Sequence, residues 1–192
     1  MNVTEIGLVT SNLNKVAEMQ RLLPANVTLV RLDLGEVEET GETFEDNATL
    51  KALAGLTLAP FAIGEDSGLM VDALGGAPGV YSKRYAPSDA LRIDRILAQL
   101  GPHDDRRAKF VTVIALAHRE GETRLFRGEV MGRIASEPRG SAGFGYDPIF
   151  IPDEGDGRTF AQMTTDEKGS ISHRGRALKA LLAHLVARFD DS

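Results

Sequence analysis

The 192-residue sequence has no cysteine. Disulfides, thiol nucleophiles, redox cysteine pairs and cysteine-based zinc sites are therefore excluded, and the usage fits a reducing compartment. Excess basic charge is also missing: 22 Lys and Arg stand against 28 Asp and Glu, a net charge of −6. Nucleic acid and anionic membrane select basic surfaces, so neither is an expected partner. Long apolar runs are lacking too. The longest mostly apolar stretch, Val111 to Ala117, contains Thr112 and falls far short of the ~20 residues of a membrane helix. At the N-terminus Asn2, Thr4 and Glu5 interrupt any apolar leader, so a cytoplasmic protein is expected.

What remains is an ordinary globular composition, 42% hydrophobic and 26% charged. The length suits one domain over residues 1–192, either a single body or two lobes sharing a core. Such a chain buries roughly two-thirds of its unfolded surface and needs no metal or disulfide staple. Ile6 to Thr10 reads as a buried strand, followed by a helix capped by Asn12 and stopped by Pro24. Val27 to Leu32 is a second strand. Thr43 to Leu58 reads as a helix with Thr43 and Asp46 as a capping pair, and Phe61 to Gly64 as a short strand. The glycine-rich stretch Gly64 to Pro87 reads as turns, Ser88 to Leu100 as a helix, and Lys109 to His118 as a central strand covered on both sides. A turn at Glu120-Gly121 leads into a strand region from Thr123 to Ala135. The final helix repeats Ala177, Leu178, Leu181, Leu182, Leu185, Val186 and Phe189 on one face. The pattern predicts an α/β fold with a mixed sheet, in two lobes.

Common signatures fail. Gly140 to Gly145 has P-loop glycine spacing, but Tyr146 stands where lysine is required. The histidines form no H-E-x-x-H, and Glu65-Asp66-Ser67-Gly68 is no nucleophile elbow because the serine is off-centre. Five polar clusters remain, each assigned to a strand end or a helix start. Thr10-Ser11-Asn12 with Lys15 makes an anion site at a helix N-terminus, or simply a cap. Glu36, Glu38 and Glu39, and then Glu65-Asp66-Ser67, offer oxygen ligands for a hard cation such as Mg²⁺ and a base for water, or form solvated turns. In Gly143 to Pro148, Phe144 or Tyr146 could stack on a flat ring and Asp147 could accept its N–H groups; the plainer reading has the aromatics plugging the core. Lys168 with Ser172-His173-Arg174 reads as another anion site at the start of the last helix, or as capping. Lys51 and Lys83 are isolated cations. Together the clusters describe a site for a nucleoside polyphosphate.

At these positions the sequence resembles the inosine triphosphate pyrophosphatase family. Ser11, Asn12 and Lys15 match its first motif, Glu38-Glu39-Thr40-Gly41-Glu42-Thr43-Phe44 to Ala48 its second, and Glu65 to Leu69 running to Gly75 to Tyr81 its third. Phe144 to Phe150 match the F-G-Y-D-P-x-F block and Ser172 to Gly175 the S-H-R-G block, with Lys168 before it. Five blocks in the expected order cover the chain from residue 10 to the last helix.

The resemblance implies a two-lobed α/β protein with a long mixed sheet flanked by helices, the active site in the cleft between lobes, and a homodimer. It implies Mg²⁺-dependent hydrolysis of ITP, dITP and XTP to the monophosphate and pyrophosphate. Asp66 would be proton acceptor and metal ligand and Glu38 the second ligand, with the choice between Glu38 and Glu39 open. Lys15, Lys51, Lys168 and Arg174 would neutralise the triphosphate, Ser67 would contact it, and Phe144, Gly145, Tyr146, Asp147 and His173 would surround the base. A Maf-like pyrophosphatase of other base preference and a non-catalytic nucleotide-binding module are the alternatives.

Overall fold

The computed structural model describes residues 4–190. In chain order the elements are β1 (Thr4–Val9), α1 (Leu13–Leu22), β2 (Val27–Leu32), α2 (Phe44–Gly55), β3 (Phe61–Val71), α3 (Asp89–Leu100), β4 (Arg107–His118), β5 (Arg124–Ile134), β6 (Phe150–Pro152), α4 (Thr165–Ile171) and α5 (His173–Asp190), with short 3-10 turns between some of them. The strands form one six-stranded sheet in the order β2-β1-β3-β4-β5-β6. β1 pairs in parallel with both β2 and β3, whereas β5 and β6 are antiparallel. The sheet is thus mixed and the fold class α/β, as the alternation of patterns predicts.

The chain divides into two compact units. Of the described residues, the first holds 4–66, 112–128 and 174–190; the second holds 67–111 and 129–173. The core of the first is built by Ile6 and Leu8 of β1, Met19 of α1, Ile63 of β3, Ile114 of β4, and Ala177, Leu178 and Leu181 of α5. That of the second gathers Leu69 and Val71 of β3, Ile93, Ile96 and Leu100 of α3, and an aromatic group. Within this group Phe110 lies 4.6 Å from Phe150, and Phe150 lies 5.2 Å from Phe160, centroid to centroid. Tilted ring pairs of this kind add to the apolar burial.

Several boundaries follow the local chemistry. Asn12 caps α1, accepting from the N–H groups of Asn14 and Lys15. Thr43 and Asp46 form a reciprocal capping box at α2, satisfying two N–H groups that the helix itself leaves unpaired. Ser88 caps α3. Two expectations need correction. Glu65-Asp66-Ser67-Gly68 is not a turn after a short strand: β3 continues unbroken through it to Val71. Lys168 does not belong to the last helix; it sits on the separate helix α4, in the other unit from Arg174.

Candidate active site

In the first unit, buried charges from four elements converge. Glu65 and Asp66, on the inner part of β3, are 1% and 4% exposed, and the sequence alone gives no reason for carboxylates in mid-strand. Their partners supply one. Lys15, near the start of α1, brings its ammonium 2.5 Å from Glu65 Oε2. On α2, Lys51 donates to Asp66 Oδ1 (2.9 Å), to the Glu65 carbonyl (2.9 Å) and to Glu39 Oε1 (2.7 Å), which engages all three ammonium hydrogens. One turn earlier on the same face, Asn47 points its amide at Asp66 Oδ2, at a long 3.5 Å, and accepts from the Gly41 N–H at 2.8 Å. Arg174, at the start of α5, donates to Glu18 Oε2 at 2.5 Å and to Glu65 Oε1 at 3.2 and 3.4 Å.

This arrangement needs α2 and β3 in near contact. A Cβ on Gly64 would collide with the Ala48 carbonyl and lie 2.5 Å from the Ala52 nitrogen and 2.7 Å from Lys51 Cβ. Glycine at the residue before the acidic pair is what lets Lys51 reach Asp66.

The charges set one another's proton affinity. Burial pushes Asp66 up, only partly countered by Lys51 and Lys15. Glu65 is driven the other way: burial opposes its charge, yet Lys15 and Arg174 beside it hold the carboxyl far below the usual range. Burial lowers Lys15, with Glu65 countering. Burial also works against the Lys51 ammonium, but Asp66 and Glu39 outweigh it and raise the group above the ordinary lysine value. Neighbouring carboxylates thus differ in role: Glu65 is a fixed anion, and Asp66 is readier to hold a proton.

Among the described residues, no group of three or more His, Asp or Glu side chains is arranged to hold a metal ion. The donors at hand are the carboxylates of Asp66 and of the Glu38-Glu39 pair, all hard oxygen ligands. A set of one or two carboxylates suits Mg²⁺, which keeps several waters and takes phosphate oxygens for the rest. Charge agrees with this fit: in the contacts above, the four carboxylates of Glu18, Glu39, Glu65 and Asp66 meet the three cations of Lys15, Lys51 and Arg174. Glu39 is turned to Lys51, while Glu38 is exposed. Thr10, Ser11 and Asn12 lie in the same unit; Asn12 caps α1 and Thr10 Oγ1 accepts from the Asn12 N–H, while Ser11 is exposed at the helix start.

The second unit contains the aromatic-glycine loop. Gly143 and Gly145 have φ of +74° and +63°, and the Asp147 N–H donates back to the Phe144 carbonyl to close a turn. A Cβ on Gly143 would run into the Asp147 carboxylate, whereas one on Gly145 would meet nothing within 4 Å. The backbone at Gly145 therefore faces open space. Asp147 is 2% exposed, and its Oδ2 accepts from the Phe144 N–H (2.9 Å) and from Lys168 Nζ (2.7 Å). The Lys168 ammonium lies 5.3 Å from the Phe144 ring centre and 5.5 Å from that of Phe160.

The aromatic residues of the loop divide. Phe144 is partly exposed, but Tyr146 is core: it is 4% exposed and its hydroxyl donates to the Ser82 carbonyl at 2.9 Å. Burial keeps that phenol protonated well above its ordinary value. His173 is 3% exposed and stacks on Phe110 at 4.6 Å, with the rings 9° from parallel. Ser67 follows Asp66 along β3 and is partly buried.

Two contributors, Glu18 and Asp89, fall outside the motifs, and a third, Asn47, stands inside the second motif without having been given a role. Glu18 is one turn beyond Lys15 on α1, so helical spacing was the available signal for it; Asn47, one turn before Lys51 on α2, had both that spacing and its place in the motif. For Asp89, which accepts from the Gly145 N–H across 56 positions of sequence, there was none.

Known proteins extend this pattern over the whole chain. The Ham1 family profile matches residues 6–184. A dITP/XTP pyrophosphatase of Symbiobacterium thermophilum is 48% identical, with 100% of both chains covered. The structure of the Staphylococcus aureus Ham1 protein superposes with a TM-score of 0.86 at 41% identity, over 96% of this chain and 100% of that one. A nucleoside-triphosphatase, or dITP/XTP pyrophosphatase, of Mycobacterium abscessus gives 0.74 at 44% identity, over 93% and 99%. With profile, sequence and fold in agreement from end to end, the chain belongs to the Ham1 family.

Proposed function

We infer that this chain is a nucleoside triphosphate pyrophosphatase of the dITP/XTP type, which removes non-canonical purine nucleotides by cutting them to monophosphate and pyrophosphate. The observation that carries the reading is the buried array of Lys15, Lys51, Glu65 and Asp66, present in a chain matched along its full length by a relative of that activity. ITP is included as a substrate because it shares the hypoxanthine base of dITP.

In this mechanism Asp66 takes a proton from the attacking water. The water oxygen bonds to the α-phosphorus while the bond to the α–β bridging oxygen breaks, and its electron pair leaves with pyrophosphate. A carboxylate pushed up by burial suits the base. Lys15 and Lys51, held by carboxylates in the free protein, supply the positive charge for which phosphate oxygens compete. Glu38 and Asp66 would hold Mg²⁺, which when bound screens the phosphate charge and lowers the pKa of its waters. Thr10, Ser11, Asn12 and Ser67 would line the phosphate path, and Arg174 would fix Glu65. Phe144 and the Gly145 backbone would face the base, with Tyr146, Asp147, Lys168 and His173 as the packed wall behind them.

Purine choice follows from unpaired partners. A site built for the 6-oxo group and its neighbouring N–H leaves buried groups unsatisfied when adenine enters, at a cost of roughly 1–3 kcal/mol per group. Homodimerisation is part of the proposal; exposed Leu50 and Leu53, one turn apart on α2, support it, and sedimentation velocity measures it. Among the described residues no helix is long and apolar enough to cross a membrane. The test is pyrophosphate release from dITP, ITP, XTP, dGTP and dATP with Mg²⁺. The expected kcat/KM for the first three exceeds that for dATP by about a hundredfold. Orthophosphate as product points instead to a phosphatase, and no turnover to a binding module.

A further inference from the structure

Asp89 opens α3 in the second unit, remote in sequence from the aromatic-glycine loop. Its Oδ2 accepts from the Gly145 N–H at 2.7 Å, and its Oδ1 pairs with Arg92 at 2.6 Å. Ser88 already caps α3 by accepting from the Leu91 N–H, so Asp89 is not the cap. Its carboxylate instead reaches out of the helix to a single backbone amide in a loop 56 positions away.

That amide lies in a tight turn. Gly145 is the first central residue of the turn closed by the Asp147 N–H and the Phe144 carbonyl, and its backbone faces open space. Glycine at this position gives the Phe144-Gly145 peptide more than one accessible orientation. The Phe144 N–H is fixed by Asp147, and the Tyr146 ring is buried in the core. The Asp89 carboxylate selects the one orientation compatible with a charge-assisted bond to the Gly145 N–H. It thereby aims the loop's exposed backbone and the Phe144 ring beside it.

We propose that Asp89 is a positioning residue for base recognition, acting through the Gly145 amide and touching no substrate itself. The inference rests on the reading of this loop as the segment that meets the purine. Arg92 supplies the control, because R92A removes the helix ion pair and a bond to the Ala86 carbonyl and leaves the Gly145 bond in place.

The experiment compares D89A, D89N and R92A in the full chain with Mg²⁺, using dITP, XTP and dATP as probes. Loss of a hydrogen bond to a charged acceptor predicts about a tenfold rise in KM for dITP in D89A, with kcat changed by less than about threefold. The dITP-to-dATP ratio of kcat/KM falls by about tenfold, since a loosened loop discriminates less. D89N, whose amide oxygen still accepts, recovers most of both, and R92A matches the parent. Amide exchange at Gly145, measured by NMR without substrate, accelerates in D89A and not in R92A. Unchanged KM and selectivity in D89A, an equal loss on every nucleotide that tracks a drop in Tm, or unchanged exchange at Gly145 would overturn the role of Asp89. A parent protein without dITP or XTP turnover defeats the functional reading instead, and the exchange measurement still decides whether Asp89 holds the amide.

Discussion

A carboxylate proposed to accept a proton cannot be too comfortable as an anion, and Asp66 is kept from that comfort. Burial raises its proton affinity while Lys51 holds one oxygen in place. A group whose folded pKa lies above its unfolded value makes the native state less stable once it ionises, so at neutral pH its charge works against folding. D66N should therefore lose about 10²- to 10⁴-fold in kcat, the range for removing a general base, while its Tm stays level or rises. Steady-state kinetics with Mg²⁺ and a thermal melt of the metal-free protein check the two halves. Near-normal turnover removes Asp66 from the chemistry; a large fall in Tm means that Lys51 depended on it. Lys51 read as an isolated cation and gained a role only through the family resemblance, whereas Asp66 and Lys15 were legible in the sequence because they stand in motifs. Glu18 was not: a glutamate on an amphipathic helix is ordinarily solvated, and only the folded chain reveals Arg174, 156 positions later, as its partner.

Among the elements, β3 shows where local pattern and tertiary structure part. Glu65-Asp66-Ser67-Gly68 carries the composition of a turn, and local reading ends the strand at Gly64. The strand continues because Lys15, Lys51 and Arg174 arrive from three other elements to pair the buried carboxylates, a stabilisation that propensity does not contain. Helix starts were more legible. The reciprocal bonds of Thr43 and Asp46 at α2 lie within one turn and need nothing from the rest of the fold. The short helix α4 went unread because its seven residues offer too little periodicity. The close approach of α2 to β3 yields a sharp test. G64A would set a methyl against the Ala48 carbonyl and the Ala52 nitrogen, backbone atoms that cannot move aside without shifting the helix. Overpacking of this kind costs about 1–3 kcal/mol or more, and because the displaced helix carries Lys51 and Asn47, activity should fall further than stability. Urea unfolding beside kinetics at a temperature where the variant is fully folded separates the two effects. Parent-like values for both would mean that the contact is not as close as described.

For the whole molecule, the buried charges make stability depend on pH in a direction that can be worked out. Glu65, despite its burial, is held far below its ordinary value of 4.5 by Lys15 and Arg174. A depressed folded pKa contributes stability that is present above the unfolded value and lost as pH falls toward the folded one. Asp66, raised above 3.8, contributes the opposite sign, so its protonation on acidification favours the native state. The metal-free protein should accordingly hold its stability as pH drops from neutral toward about 5 and lose it steeply below 4.5, where the unfolded chain takes up protons that native Glu65 refuses. E65Q tests the source. At neutral pH it leaves Arg174 and Lys15 buried with a partner missing, a loss of about 3–5 kcal/mol. That deficit should shrink as pH falls below 4.5, because the parent then pays to keep Glu65 ionised and the variant does not. Urea midpoints for both proteins between pH 3 and 7 provide the comparison. A constant gap across that range would mean that Glu65 stabilises by packing and not by charge, and the electrostatic account of the buried array would fail with it.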